Sequence, residues 1–271
     1  MKYSTMTYTF TRQKDRYDLD RMLAFTARHM DGMDVVGLQD TPAEEWRARA
    51  DDLGIPIVCH TFFCGDLPSA DPEKRRQALD QAKRGVEAAV ALGALVAMIP
   101  TMTHDELDRT ARRRAWIEGL REAIGFADSA GITLTVENFP GDRSPFVLAS
   151  DFQEARAAIP GLRLTYDNGN AASGEDPAES FRACAPFVAH AHFKDWLVSD
   201  EPREGYRPML DGRFYKAALI GEGVVPHAAC LAAMREAGYE GYVNIEYEGN
   251  EYAPADATLR ALEHLRELDE A

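Results

Sequence analysis

Apolar and polar positions along this chain fall into two alternating kinds of segment. Short runs rich in β-branched and apolar residues are separated by longer stretches in which apolar positions recur at the spacing of an amphipathic helix. The strand candidates are KYSTMTYTF near the start, MDVVGLQ from Met33, IPIVCHTFF from Ile55, ALVAMIP from Ala94, GITLTVEN from Gly131, LRLTYDN from Leu162, FVAHAHFKD from Phe187 and YVNIEYEG from Tyr242. Helix candidates between them include DLDRMLAFTARHM, PEKRRQALDQAKRGVEAAVAL, LDRTARRRAWIEGLREAIGFADSA and HAACLAAMREAG. Gly54, Gly131 and Gly238 stand where a left-handed carboxy-terminal cap is expected. Eight strands interleaved with about eight helices predict a closed (β/α)8 TIM barrel. A doubly wound open sheet is the rival, but no GxGxxG or GxxxxGK loop follows the first strand.

No linker or low-complexity segment breaks the alternation, so residues 1–271 are expected to form a single domain, a length such barrels commonly have. The longest stretch without a regular pattern runs from Leu197 to about Leu219 and carries Arg203, Arg207 and Arg213 beside Pro202 and Pro208. Its place after the seventh strand predicts a lid that brings at least one of these arginines, Arg203 among them, to a substrate. A surface or subunit-contact segment is the alternative.

Barrel enzymes build their sites where strands end and the following loops begin. Each of the last four strands ends in a side chain that can hold a metal: Glu137 in TVEN, Asp167 in TYDNGN, His192 in HAHFKD and Glu246 in NIEYEG. A charge at the end of an apolar strand is costly to bury without a partner cation. Any one of the four can be a strand-end ion pair or cap, but the same feature on four successive strands points to a divalent metal. Three carboxylates and one imidazole suit Mn²⁺ best, with Mg²⁺ or Co²⁺ as alternatives, rather than a thiolate-type zinc site.

The sequence resembles the xylose isomerase-like superfamily of sugar isomerases and epimerases over essentially its whole length. The motifs that carry the resemblance are VEN, YDNGN, HAHFKD, GEGVV from Gly221 and IEYEG. The resemblance implies Glu137, Asp167, His192 and Glu246 as metal ligands, with Glu137 and Glu246 also flanking the substrate as an acid/base pair. It brings Lys194 toward the substrate, although an ion pair to a neighbouring carboxylate would explain that lysine equally well. Many members carry histidine where this chain has Asn170, which can bond a substrate hydroxyl but cannot titrate near neutral pH.

Several further residues are candidates for substrate contact. His60 ends the third strand, and Arg143 follows the fifth with a guanidinium suited to a carboxylate or phosphate. His190 shares the strand face of His192 and is expected to support it, while Glu248 shares the face of Glu246. His104, in THDELD, belongs to a helix-capping pattern. The aromatics Tyr8, Phe62, Phe139 and Trp196 stand at strand ends and can wall an apolar side of a pocket.

Composition narrows the function. A net charge of −15, from 45 acidic and 30 basic residues, argues against a nucleic-acid partner, and with it against an abasic-site nuclease. The four cysteines show no metal or disulfide-scaffold spacing and are expected to be reduced and packed. The chain has no apolar run of bilayer-spanning length and its first residues lack the core of a signal peptide, which predicts a cytoplasmic protein without a membrane partner. The expected activity is metal-dependent isomerisation or epimerisation of a small keto-sugar or polyol, by removal of a proton next to a carbonyl through an enediolate. A lyase using the same residues, a dehydratase or a C-glycoside or carbon-bond cleaving enzyme, is the alternative. Self-association into a homo-oligomer is left open.

Overall fold

A computed structural model describes residues 1–12, 17–102 and 107–270. In chain order the elements are β1 (Lys2–Met6), α1 (Thr7–Thr11), α2 (Leu19–His29), β2 (Gly32–Val36), α3 (Ala43–Asp52), β3 (Ile57–Thr61), α4 (Pro72–Leu92), β4 (Val96–Ile99) and α5 (Arg109–Ala130). They continue with β5 (Thr133–Glu137), α6 (Ala149–Ala158), β6 (Arg163–Asp167), α7 (Asn168–Ala172), α8 (Pro177–Cys184) and β7 (Val188–Phe193). The last are β8 (Asp195–Ser199), β9 (Arg207–Pro208), β10 (Phe214–Ala218), α9 (His227–Glu236), β11 (Tyr242–Ile245) and α10 (Pro254–Glu270). Eight of the strands, in the order β1-β11-β7-β6-β5-β4-β3-β2, close a parallel barrel, as the alternation of segments predicts. Closure removes every sheet edge, and the apolar strand segments pack outward against the helices in the main core around Trp116, Leu120, Val136, Phe152 and Ile245.

The two longest helices form where the sequence marks both ends. Asp71 caps the first turn of α4 through the amides of Glu73 and Lys74, Pro72 opens the helix, and Gly93 closes it in the left-handed region at φ 68°. α5 is capped by Asp108, whose side chain accepts from the Ala111 amide, and ends at Gly131, at φ 69°. Of the capping pattern THDELD, residues 103–106, His104 among them, lie outside the described residues, while its last residue, Asp108, is this cap of α5.

Two segments differ from their sequence-based expectation. The first strand stops at Met6, and TYTFT forms the short helix α1 instead of extending the strand. The Thr7 hydroxyl accepts from the Val36 amide and the Thr9 hydroxyl from the Tyr247 amide, so these threonines tie the ends of neighbouring strands, while Phe10 packs in a satellite core with Met22, Leu23 and Trp46. The segment from Leu197 to Leu219 is not irregular: β8, β10 and β9 pair antiparallel as a small three-stranded sheet above the barrel. Trp196, Tyr215, Met209 and Val225 give it an apolar core of its own. All four cysteines are free thiols and buried. Among the described residues no helix is long and apolar enough to cross a membrane.

Candidate metal and substrate site

The barrel interior just below the site is polar. The Ser4 hydroxyl donates to Asp34 Oδ1 and accepts from Asn244 Nδ2, and Asp34 Oδ2 lies 2.6 Å from His190 Nε2 and 3.3 Å from His192 Nε2. Burial would raise the Asp34 carboxyl, but the two imidazoles outweigh it and hold the pKa at about 2. His192 Nε2 faces Asp34 at ion-pair distance without a hydrogen bond, and its Nδ1 reaches the next layer of side chains, 2.8 Å from Glu137 Oε1 and 3.8 Å from Glu246 Oε2. Burial would lower the His192 pKa, yet Asp34, Glu137 and Glu246 raise it well above the ordinary imidazole range.

Glu137, Asp167, His192 and Glu246 each present one donor atom, and those four atoms lie within 4.8 Å of one another. All four side chains are buried. Asp167 Oδ2 and Glu246 Oε2 accept no hydrogen bond. Their nearest cation is the buried Lys194 ammonium, 3.4 Å and 2.9 Å away, at ion-pair distance from both. Burial raises the Asp167 and Glu246 carboxyls even against the pull of Lys194. Glu248 lies beside them, with Lys194 donating to Oε1 and Arg207 to Oε2, and these two cations overcome burial and lower its pKa.

The surrounding motif residues hold this group in place. The Asn138 side-chain amide pairs with both backbone groups of Asp167, locking the end of β5 to the end of β6. The Asn168 side chain accepts from the Lys194 amide and contacts His227 Nδ1 at 2.9 Å. A Cβ at Gly169 would overlap the Lys194 side chain, so only glycine lets β7 pass this close. Asp195 accepts from the amides of Trp196, Gly221, Gly223 and Val225, which fastens the GEGVV segment to β8.

Above the donor group opens a cavity of about 350 Å³ at the carboxy-terminal end of the barrel. Glu137, His192, Glu246, Glu248 and Arg207 line one side, and Met6, Tyr8, Phe63, Met98, Met102 and Phe139 line much of the other. Tyr8 and Phe139 thus wall the cavity, whereas Phe62 is buried against Gly85 of α4 and Trp196 lies beneath Arg207, 5.0 Å from its guanidinium carbon.

Other sequence candidates lie elsewhere. His60 is buried with Nδ1 3.0 Å from the Val35 carbonyl, and burial lowers its pKa. Asn170 is fully buried; its amide donates to Asp167 Oδ1, and its side-chain oxygen and nitrogen have no hydrogen-bond partner. Neither residue is among those lining the cavity. Arg143 is exposed, and its guanidinium donates to the Leu107 carbonyl, because the chain past β5 turns outward toward the start of α5. Arg203 is exposed at a turn closed by the Tyr206 amide, so the small sheet brings Arg207 to the cavity in its place, while Arg213 is held by Asp211. Sequence reasoning passed over Asp34, although a carboxylate inside the apolar run MDVV carries the same signal as the strand-end acids, and it passed over Phe63 and the methionines of the cavity wall.

The model of one family, described as the xylose isomerase-like TIM barrel, matches residues 22–268. The chain belongs to this family. Within it, the chain is 24% identical over 210 residues to fructoselysine 3-epimerase of Shigella flexneri, covering 74% of this chain and 71% of that protein. It is 25% identical over 172 residues to inosose dehydratase of Lacticaseibacillus casei, a match covering 61% of this chain and spanning only 56% of the dehydratase. A crystal structure of the IolI protein with a bound zinc atom shares the fold, with a TM-score of 0.82 at 15% identity over 100% of this chain and 98% of that one. Family members of this kind are thus named for both epimerisation and dehydration.

Proposed function

We propose that this chain is a divalent-metal-dependent isomerase or epimerase of a small keto-sugar or polyol. The observation that carries this reading is the convergence of four buried donor atoms: those of Glu137, Asp167, His192 and Glu246 lie within 4.8 Å of one another. Asp167 Oδ2 and Glu246 Oε2 accept no hydrogen bond, and burial raises both carboxyls even beside Lys194, an environment that a divalent cation would relieve. Oxygen-rich ligation favours Mn²⁺, with Mg²⁺ and Co²⁺ close behind. The zinc in the IolI structure is a precedent for a metal on this fold.

When bound, the ion would polarise a substrate carbonyl and its neighbouring hydroxyl and so acidify the proton between them. The chain supplies the remaining chemistry. Glu137 and Glu246 both line the cavity, so one can take the proton from carbon and the other can return it. Return on the opposite face inverts the centre; return to the adjacent carbon moves the carbonyl. Lys194, held by Glu246, fixes the orientation of that carboxylate. The similarity to inosose dehydratase supports a second reading, in which a β-hydroxyl leaves after the same proton removal. An unsaturated product absorbing in the near ultraviolet identifies that outcome.

The test is metal analysis combined with proton exchange. Protein dialysed against Mn²⁺ should retain one ion per chain, and incubation in D₂O with ketoses, inososes and keto-acids should introduce deuterium next to the carbonyl of a substrate. Glu246→Gln should keep the metal and lose at least ~10²-fold in exchange rate. His192→Ala should lose the metal. Wild-type metal content in His192→Ala, or undiminished exchange by Glu246→Gln, removes these residues from the chemistry.

A further inference from the structure

The two sides of the cavity belong to two halves of the barrel. Strands β11, β7, β6 and β5 are consecutive around the closed sheet and carry the acids; β1, β2, β3 and β4 are consecutive on the opposite side and carry apolar residues. On that apolar half the cavity is lined by Met6, Tyr8, Phe63, Met98 and Met102, joined by Phe139 from beyond β5. Tyr8, Phe63 and Met102 are 38%, 54% and 36% exposed, a run of unburied aromatic and thioether surface beside a charged centre. Among the described residues of that half, the side-chain polar groups are the Tyr8 phenol and the buried Thr61 hydroxyl.

A free ketose carries a hydroxyl on nearly every carbon. With one end held at the acids, its far hydroxyls would lie against a wall that, among the described residues, offers few hydrogen-bond partners, at a desolvation cost. A phosphorylated sugar fits no better. Among the described residues lining the cavity Arg207 is the one arginine or lysine, and Glu248 already pairs with it. Aromatic faces at Tyr8, Phe63 and Phe139, together with three methionine sulfurs, instead suit a flat ring, through ring–ring and sulfur–ring contacts.

We propose that the substrate is an uncharged polyhydroxy ketone bearing an aryl substituent, its oxygenated end at the acid half and its ring on the apolar half. The proposal rests on the metal-centred reading above and adds the substrate class.

Calorimetry on Mn²⁺-loaded protein tests it with a matched pair, the methyl and phenyl β-glycosides of 3-keto-D-glucose, and with D-fructose 6-phosphate as a charged probe. The phenyl compound should bind at least about tenfold more tightly than the methyl compound. Saturation-transfer NMR should show its ring protons in contact with the protein. Phe63→Ser and Tyr8→Ser, at exposed positions away from the acids, should shrink that ratio by weakening the phenyl compound at least about fivefold more than the methyl compound. Equal affinities for the pair, no saturable binding of the phenyl compound, a ratio unaltered in both variants, or preference for the phosphate overturns the proposal. Metal content and deuterium exchange into unsubstituted ketoses are measured independently. A protein that holds Mn²⁺ and exchanges a plain ketose without preferring the ring keeps the first reading and loses this one; a protein that holds no metal loses both.

Discussion

At the scale of single residues, Asp34 stands in contact with both histidines of β7. Its Oδ2 lies 2.6 Å from His190 and 3.3 Å from His192, in a layer with no exposure to solvent. A carboxylate that accepts from one imidazole nitrogen fixes the tautomer and the ring angle, and leaves the other nitrogen as a lone-pair donor. Asp34→Asn preserves the shape of the side chain but removes the charge that orients the ring. It should weaken Mn²⁺ binding about 10- to 100-fold, the usual size of such support. Competition with a chelator of known affinity measures this. The far-ultraviolet circular dichroism should be unchanged, which separates an orienting role from a purely architectural one; unaltered metal affinity would show that His192 needs no such partner.

At the scale of elements, Asp195 joins the first residue of the small sheet to the segment that leads into α9. Its two oxygens accept from four backbone amides, and His227 Nε2 lies 3.3 Å from Oδ2. Burial acts to raise its pKa, but His227 and the amides prevail and lower it below the ordinary aspartate value of 3.8. Because the folded-state pKa is depressed, the stability it contributes is fully present above about 3.8 and is lost as pH falls through the lower folded value. Urea unfolding of the wild type and Asp195→Ala should therefore differ by several kcal/mol at pH 7, since each buried amide left without an acceptor costs ~1–3 kcal/mol. The difference should narrow below pH 3.8. A constant difference across that range would assign the effect to lost packing.

Elements such as this one also show what a sequence discloses. α4 and α5 were legible because an aspartate starts each helix and a glycine in the left-handed region ends it. The convergence of Glu137, Asp167, His192 and Glu246 was legible because each interrupts the end of an apolar strand. The sheet of β8, β9 and β10 was not, because β9 has only two residues and its prolines and glycines have the composition of a loop. That hidden pairing decides which arginine reaches the cavity: antiparallel register sets Arg207 opposite Tyr215 and leaves Arg203 at the turn. The helix α1 was hidden for a different reason, since four residues of TYTF fit an alternating strand as readily as one helical turn.

At the scale of the whole molecule, the closed barrel carries its main core on its outer side, apart from the charged residues at its mouth. The outward core around Trp116 and Leu120 contains none of the cavity's charged residues. The cavity's contributors are also ordered along the chain. Phe139 aside, the apolar wall ends at Met102, and the charged wall begins at Glu137. On the proposed reading, the proposed wall for recognition and the proposed donors are therefore separated along the chain, with one exception: Asp34 of β2, which faces both histidines of β7. A single recombination between β4 and α5 that exchanges the first half of this barrel for that of a relative, while keeping an aspartate at the place of Asp34, would transmit a new substrate preference and leave the donor group with its supports. Such chimeras should retain Mn²⁺ stoichiometry and differ in which ketone they deuterate. An architecture so divided offers descent by exchange of parts, in which an enzyme acquires a new substrate without having to rediscover its chemistry.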